Sequence, residues 1–229
     1  MPLTLHHQTF LDEIPIRIQR KKNIKRLSIK IHPYKGVLLN VPLHVTEIMI
    51  NAFLESAKPW LQKHYQPILP LNYQQGEKHL YLGVEYPLNI VPSDETAHVV
   101  LSHDKMNIYS LKQDRHHIYE LLCRFYQIQA AMLFPIRVHE CMQLTPWVKS
   151  MPALRYRFMT SRYGSCSSQG NISLNIHLIK ARIELIDYVI LHELCHIQEH
   201  HHGAKFYQLM NQVAPNWKQH KKELSLVRF

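Results

Sequence analysis

Glycine is scarce in this chain, at 6 of 229 residues, and its four cysteines form no C-x-x-C pair. Few glycines together with 46% hydrophobic residues exclude a disordered or low-complexity chain and point to a packed core. The scattered Cys123, Cys141, Cys166 and Cys195 exclude a cysteine zinc ribbon and a dense disulfide framework, and suit a reducing compartment. Cys195 reads as a small buried hydrophobe. No stretch approaches the roughly 18 uninterrupted apolar residues of a membrane span. The start, Met-Pro-Leu-Thr-Leu-His-His-Gln, lacks the charged opening and apolar run of a secretory signal, so a water-soluble, cytoplasmic chain with no membrane partner is expected. Acid is also short, with 17 Asp and Glu against 27 Lys and Arg. The net charge of +10 suggests an anionic partner, nucleic acid foremost.

Apolar periodicity divides what remains. Ile14, Ile16 and Ile18, then Leu27, Ile29 and Ile31, then Val37, Leu39 and Val41 alternate with other residues. They predict an antiparallel meander with one apolar face, broken at Gln19–Asn23 and at the His32–Gly36 turn with Pro33. Arg17, Arg20, Lys21, Lys22, Lys25, Arg26 and Lys30 add a basic cluster there. Most such clusters are solvated strand faces; the alternative is a surface for nucleic acid or an acidic substrate, held by phosphate charge alone.

Thr46 caps a predicted helix through Ile48, Ile50, Phe53, Leu54 and Ala57, which Pro59 ends or restarts at Trp60. Hairpins are expected over Lys78–Leu82 with Tyr86–Val91, around Gly83-Val84-Glu85, and over Val99–Tyr109. From Asp114 the period becomes helical through Ile118, Leu121, Leu122, Phe125, Ile128, Met132 and Leu133 to Pro135, continuing to about Met142. Strands are expected at Leu154–Thr160 and Asn171–Leu178 around a Gly-Ser turn. A helix follows from Ile183 to about Glu199, then another burying Phe206, Leu209, Met210 and Val213. The fold class is α+β, a mainly antiparallel β region over 1–111 and a mainly helical half over 112–229, divided near Leu111.

The chemistry is concentrated in His192-Glu193-Leu-Cys-His196, an H-E-x-x-H segment. Residues four apart share one helix face, so two imidazoles there can hold one tetrahedral zinc. Glu193 lies on a neighbouring face, placed to take a proton from water activated at the metal and pass one to a leaving amine in peptide hydrolysis. With 18 histidines the motif would arise by chance roughly 0.07 of the time. The unbroken amphipathic run around it therefore carries the weight. For the third ligand His200, His201 and His202 are available. A straight helix would hold three ligands too far apart, so the chain must turn. His202, next to Gly203, is favoured and His201 is second. The fourth position of a catalytic zinc is left to water.

The runs Ser161-Arg-Tyr-Gly-Ser-Cys-Ser-Ser-Gln-Gly-Asn-Ile-Ser-Leu-Asn175, Asp187-Tyr-Val-Ile-Leu-His-Glu-Leu-Cys-His196 and His202-Gly-Ala-Lys-Phe206 resemble the YgjP-like metallopeptidases, and more distantly the SprT-like ones. Asn40-Val-Pro42, Trp60-Leu-Gln-Lys, Gly76-Glu-Lys-His-Leu-Tyr-Leu-Gly83 and Tyr86-Pro-Leu extend the likeness upstream. The resemblance implies a zincin-type fold in the second half, one zinc held by three histidines with the third at His202, and Glu193 as the catalytic residue. Tyr163 stands where the family usually has Trp, Cys195 where it often has Ala, and Ala181-Arg182 where a Pro-rich helix start is common. A peptide or protein substrate is implied. Within 162–175, the strand Asn171–Asn175 could be an exposed edge that holds an extended peptide. Arg162 or Tyr163 could reach the oxyanion. Ser165 and Cys166 read as structural. The competing function is a nucleic-acid-associated metal-binding protein, with the zinc helix structural or regulatory.

Overall fold

Local alternation, turn residues and helix caps account for most elements of the computed structural model, which describes residues 6–11, 14–22, 24–32, 36–65, 71–159 and 161–227. The chain divides into two compact units, Met1–Pro70 and Leu71–Phe229.

In the first unit, β1 (His6–Leu11), β2 (Ile14–Lys21), β3 (Ser28–His32) and β4 (Gly36–Pro42) form one sheet in the order β1-β2-β4-β3. The predicted meander is corrected here. β2 and β4 run parallel, Ile16 opposite Val37, with β3 antiparallel on the outer side of β4. The connection from Lys22 to Leu27 is too long for a tight hairpin and carries β3 past the position that β4 fills. The Pro33 turn lies outside the described residues. Ile16, Val37, Leu39 and Val41 pack with Ile50, Leu54 and Leu61 of α1 (Glu47–His64). The Thr46 hydroxyl accepts from the Met49 N–H, the expected N-cap. Pro59 sits inside α1 without ending it. It forfeits one helical hydrogen bond, while Leu61 beyond it is fully buried and anchors the last turn.

The second unit holds two sheets and four helices among the described residues. β5 (Lys78–Tyr81), β6 (Val84–Val91), β7 (His98–Leu101) and β8 (Met106–Tyr109) form one sheet in the order β5-β6-β8-β7. The β5–β6 turn is the pair Leu82-Gly83, both at positive φ, one residue earlier than the spacing suggested. Glycine is required at 83, because a Cβ there would meet Arg182 Cβ at 2.9 Å. Leu88, Met106 and Ile108 of this sheet bury into the core that contains α2 (Arg115–Met142) and α3 (Ile183–Gln198). The compact units therefore part near 70, whereas the expected division near Leu111 falls inside the second unit. Periodicity changes at 111, but a change of period is not a gap in packing.

α2 runs through Pro135 to Met142, as expected. The second sheet is β9 (Leu154–Arg157), β10 (Gly164–Cys166) and β11 (Ile172–Asn175), in the order β10-β11-β9. Both predicted strands are shorter than expected. Thr160 lies outside the described residues, and after Asn175 the chain forms a 3-10 turn, Ile176–Lys180, instead of more strand. α4 (Ala204–Val213) buries Phe206 and Met210, and α5 (Trp217–Leu224) follows. No helix among the described residues is long and apolar enough to cross a membrane.

Candidate metal centre

α3 is apolar around most of its circumference, with Ile186, Ile190, Leu194 and Cys195 fully buried. Two contacts fix it sideways. The Trp147 indole N–H donates to the Leu194 carbonyl at 3.0 Å, and Arg137 of α2 grips Asp187 through two guanidinium nitrogens, Nε to Oδ1 at 2.9 Å. At its start Arg182 pairs with Glu184 and with Glu223 of α5. Such a helix can hold side chains on its cleft face in fixed rotamers.

His192 and His196 lie on that face, one turn apart. The helix ends at Gln198, and the segment 199–203 reverses direction before α4. Gly203 does not make this turn by left-handed backbone. Its φ is −87°, and it caps the start of α4. The reversal brings His202 Nε2 to 3.0 Å from both His192 Nε2 and His196 Nε2. All three ligand atoms lie within 4.8 Å of one another. His200 lines the same cleft, and His201 does not.

The donor set fits a metal ion. His196 Nδ1 lies 2.9 Å from the Glu199 carbonyl. A carbonyl only accepts, so the ring proton is on Nδ1 and the Nε2 lone pair faces the other two imidazoles. Lone pairs converging at 3.0 Å repel unless a cation lies between them. Two nitrogens bound tetrahedrally to zinc at 2.0–2.1 Å would stand about 3.3 Å apart, close to the observed spacing. Burial and the neighbouring imidazoles push His192 down to about 3 and lower His196, which keeps both rings neutral, as ligands must be.

Glu193 points to the next face and is only 5% exposed. Burial pushes its carboxyl up to about 8, opposed by the charge of Arg162. Its carboxylate is seated against the backbone of Gly164. A Cβ at 164 would lie 2.7 Å from Oε1 and 2.9 Å from Cγ, so only glycine leaves room for the side chain. In the sequence Gly164 reads as a turn residue, because nothing local connects it to a carboxylate 29 positions away.

These groups border a cleft of about 480 Å3, lined from one side by Arg162, Gly164, Ser165, Cys166 and Ser168 and from the other by His192, Glu193, His196, His200 and His202. Of the two expected oxyanion residues, Arg162 borders the cleft. The Tyr163 hydroxyl donates to the Leu224 carbonyl at 3.2 Å. The expected edge strand is also corrected. β11 lies in the middle of its sheet, and β10 and β9 are its edges. Tyr163 O accepts from Asn175 N, and Ser167 N donates to Asn171 O, so residues 163, 165 and 167 face β11. The N–H and C=O groups of Gly164 and Cys166 accordingly point outward along the free edge.

Asn175 holds this border in place. Its Oδ1 accepts from the N–H groups of Met159 and His177, and its Nδ2 donates to the carbonyls of Met159 and Arg162. A second polar group lies apart from the cleft. The buried Lys180 amine stands 4.9 Å from the Tyr126 ring centre, and burial lowers it to about 8.

The YgjP-like, metallopeptidase domain family matches residues 25–226, and the chain belongs to that family. No curated protein matches. Two solved structures are similar over 38% of this chain. The metallopeptidase zymogen of Pyrococcus abyssi abylysin is 18% identical, is covered over 88% of its length and has a TM-score of 0.36. That of Methanocaldococcus jannaschii jannalysin is 22% identical, covered over 89%, with a TM-score of 0.35.

Proposed function

We propose that this member of a metallopeptidase family is a zinc-dependent hydrolase of peptide bonds, with one zinc held by His192, His196 and His202 and Glu193 as general base. The convergence of three imidazole nitrogens beside a buried carboxylate carries the reading. A bound zinc ion would supply Lewis acidity, lowering the pKa of a water toward neutrality and polarising the scissile carbonyl. Glu193 takes the proton of the attacking water on its carboxylate and returns it to the departing amine. Gly164 keeps that carboxylate against the cleft wall. An extended substrate lies along β10 and pairs with the outward N–H and C=O groups of Gly164 and Cys166. Arg162 stands at the same border, placed to stabilise negative charge that develops on the carbonyl oxygen.

A purely structural zinc would call for a closed set of four ligands. Among the described residues three converge, and they open onto the cleft, which favours catalysis. The test is Glu193→Gln. Zinc should remain at about one per chain while hydrolysis of a quenched-fluorescence peptide library falls by about 10²–10⁴-fold. Hydrolysis that survives the substitution would refute the role of Glu193.

A further inference from the structure

The first unit carries ten Lys and Arg against four Asp and Glu, a net +6 in 70 residues, while the remaining 159 residues carry +4. The sheet separates these charges. One face, with Ile16, Leu39 and Val41, is covered by α1, and both described carboxylates of the unit, Glu47 and Glu55, lie on that helix. The opposite face of β2 bears Arg17, Gln19 and Lys21. Across the sheet, Arg17 is level with Leu38 of β4 and Lys30 of β3, and Gln19 with Asn40 and Ser28. Lys22, Lys25 and Arg26 are exposed in the β2–β3 connection that borders it. Arg20 is the exception, since its side chain alternates to the covered face and donates to the Val45 carbonyl at 2.9 Å. The other six cations take part in no ion pair among the described residues.

From this arrangement we infer that the open face of the first sheet binds the phosphate backbone of nucleic acid, through Arg17, Lys21 and Lys30 on the strands and Lys22, Lys25 and Arg26 beside them. Arg17 and Lys30 stand two strand spacings apart, roughly 10 Å, so they engage different phosphates of one bound strand. In the next row of the same face Gln19 and Ser28 add neutral hydrogen-bonding groups that sugar and phosphate oxygens take, while Asn40, buried between them, donates to the Ser28 hydroxyl at 3.5 Å. An anionic membrane is the poorer partner. A membrane surface calls for exposed apolar side chains that insert among the cations; Leu38, between Arg17 and Lys30, is half-buried, and the exposed Leu43, Ile48, Met49 and Trp60 belong to the turn before α1 and to α1. Recognition is sequence-independent, because it rests on phosphate charge and not on base edges. It needs no metal and stands independently of the peptidase reading.

The test is fluorescence anisotropy with the full chain, using short single-stranded RNA and duplex DNA as probes at about 50 and 200 mM salt. Binding to either probe at low salt that weakens by at least about tenfold at the higher salt is expected when four or more phosphates are neutralised. Arg17→Glu with Lys30→Glu should weaken the low-salt affinity by about tenfold or more, and Glu47→Gln with Glu55→Gln should leave it unchanged. Should the strand variant fail to fold, Lys22→Glu with Arg26→Glu in the connection gives the same readout. No binding at low salt, affinity indifferent to both charge reversals, or tight binding to phosphatidylserine vesicles that neither nucleic acid displaces would overturn the inference.

Discussion

The two units use charge in opposite ways. In the second, charged side chains hold helices in place. Arg137 joins α2 to Asp187 of α3, and Arg182 joins the start of α3 to Glu223 of α5. On and beside the first unit's open face Arg17, Lys21, Lys22, Lys25, Arg26 and Lys30 are exposed and form no ion pair among the described residues, while an apolar interface between sheet and helix supplies the cohesion. The same residue types thus serve architecture in one unit and remain available to a partner in the other. A substitution in the second unit should therefore disturb fold and site together, whereas one on the first unit's open face should disturb only binding.

The largest effect should come from Gly164→Ala. The added Cβ cannot coexist with the Glu193 carboxylate in its present place, so hydrolysis should fall by about a hundredfold, on the scale of losing a positioned general base. Zinc content should stay unchanged, because no ligand is touched. Steady-state kinetics beside metal analysis checks both, and full activity would mean that Glu193 does not act from this position.

Lys180→Met gives a smaller effect, one on stability. The folded protein holds this amine at about 8, while an unfolded lysine retains its proton to about 10.5. Between those values the unfolded chain binds more protons, so the Lys180 contribution to stability rises with pH across that window. Below it, the folded state bears the full cost of a buried ammonium. The variant should be more stable at pH 7 by about 1 kcal/mol, roughly 2–4 °C in Tm, and its advantage should shrink as the pH rises through 8. An advantage that grows with pH would contradict this. The smallest effect is expected on the first unit, where Arg17→Glu with Lys30→Glu should change unfolding free energy by no more than about 0.5 kcal/mol per site in chemical denaturation. A larger loss would mean that these cations serve the fold after all.

Much of this arrangement was legible before the fold was known. α2, α3 and α4 follow apolar period, and the β7–β8 hairpin follows alternation, because each pattern answers to its own element's buried face. His192 and His196 were legible for the same reason, being set by a helix period, and the need for a turn favoured His202 over His201 without deciding between them. Pairing at a distance was not. That β4 lies parallel to β2, or that β10 forms an edge where Gly-Ser-Cys reads as a turn, depends on partners far along the chain. His6–Leu11 has too little apolar alternation to announce a strand. Tyr163 and Gly164 show the limit most clearly. Their contacts with Leu224 and Glu193 lie far along the chain, and nothing in the neighbouring sequence announces them.

The most direct test of the centre is zinc content per chain, measured by plasma mass spectrometry after dialysis, for His200→Ala, His201→Ala and His202→Ala side by side. Loss of zinc in His202→Ala alone, with about one zinc kept by the other two, is the predicted result. Zinc retained by His202→Ala and lost from His200→Ala would contradict the three-histidine centre described above.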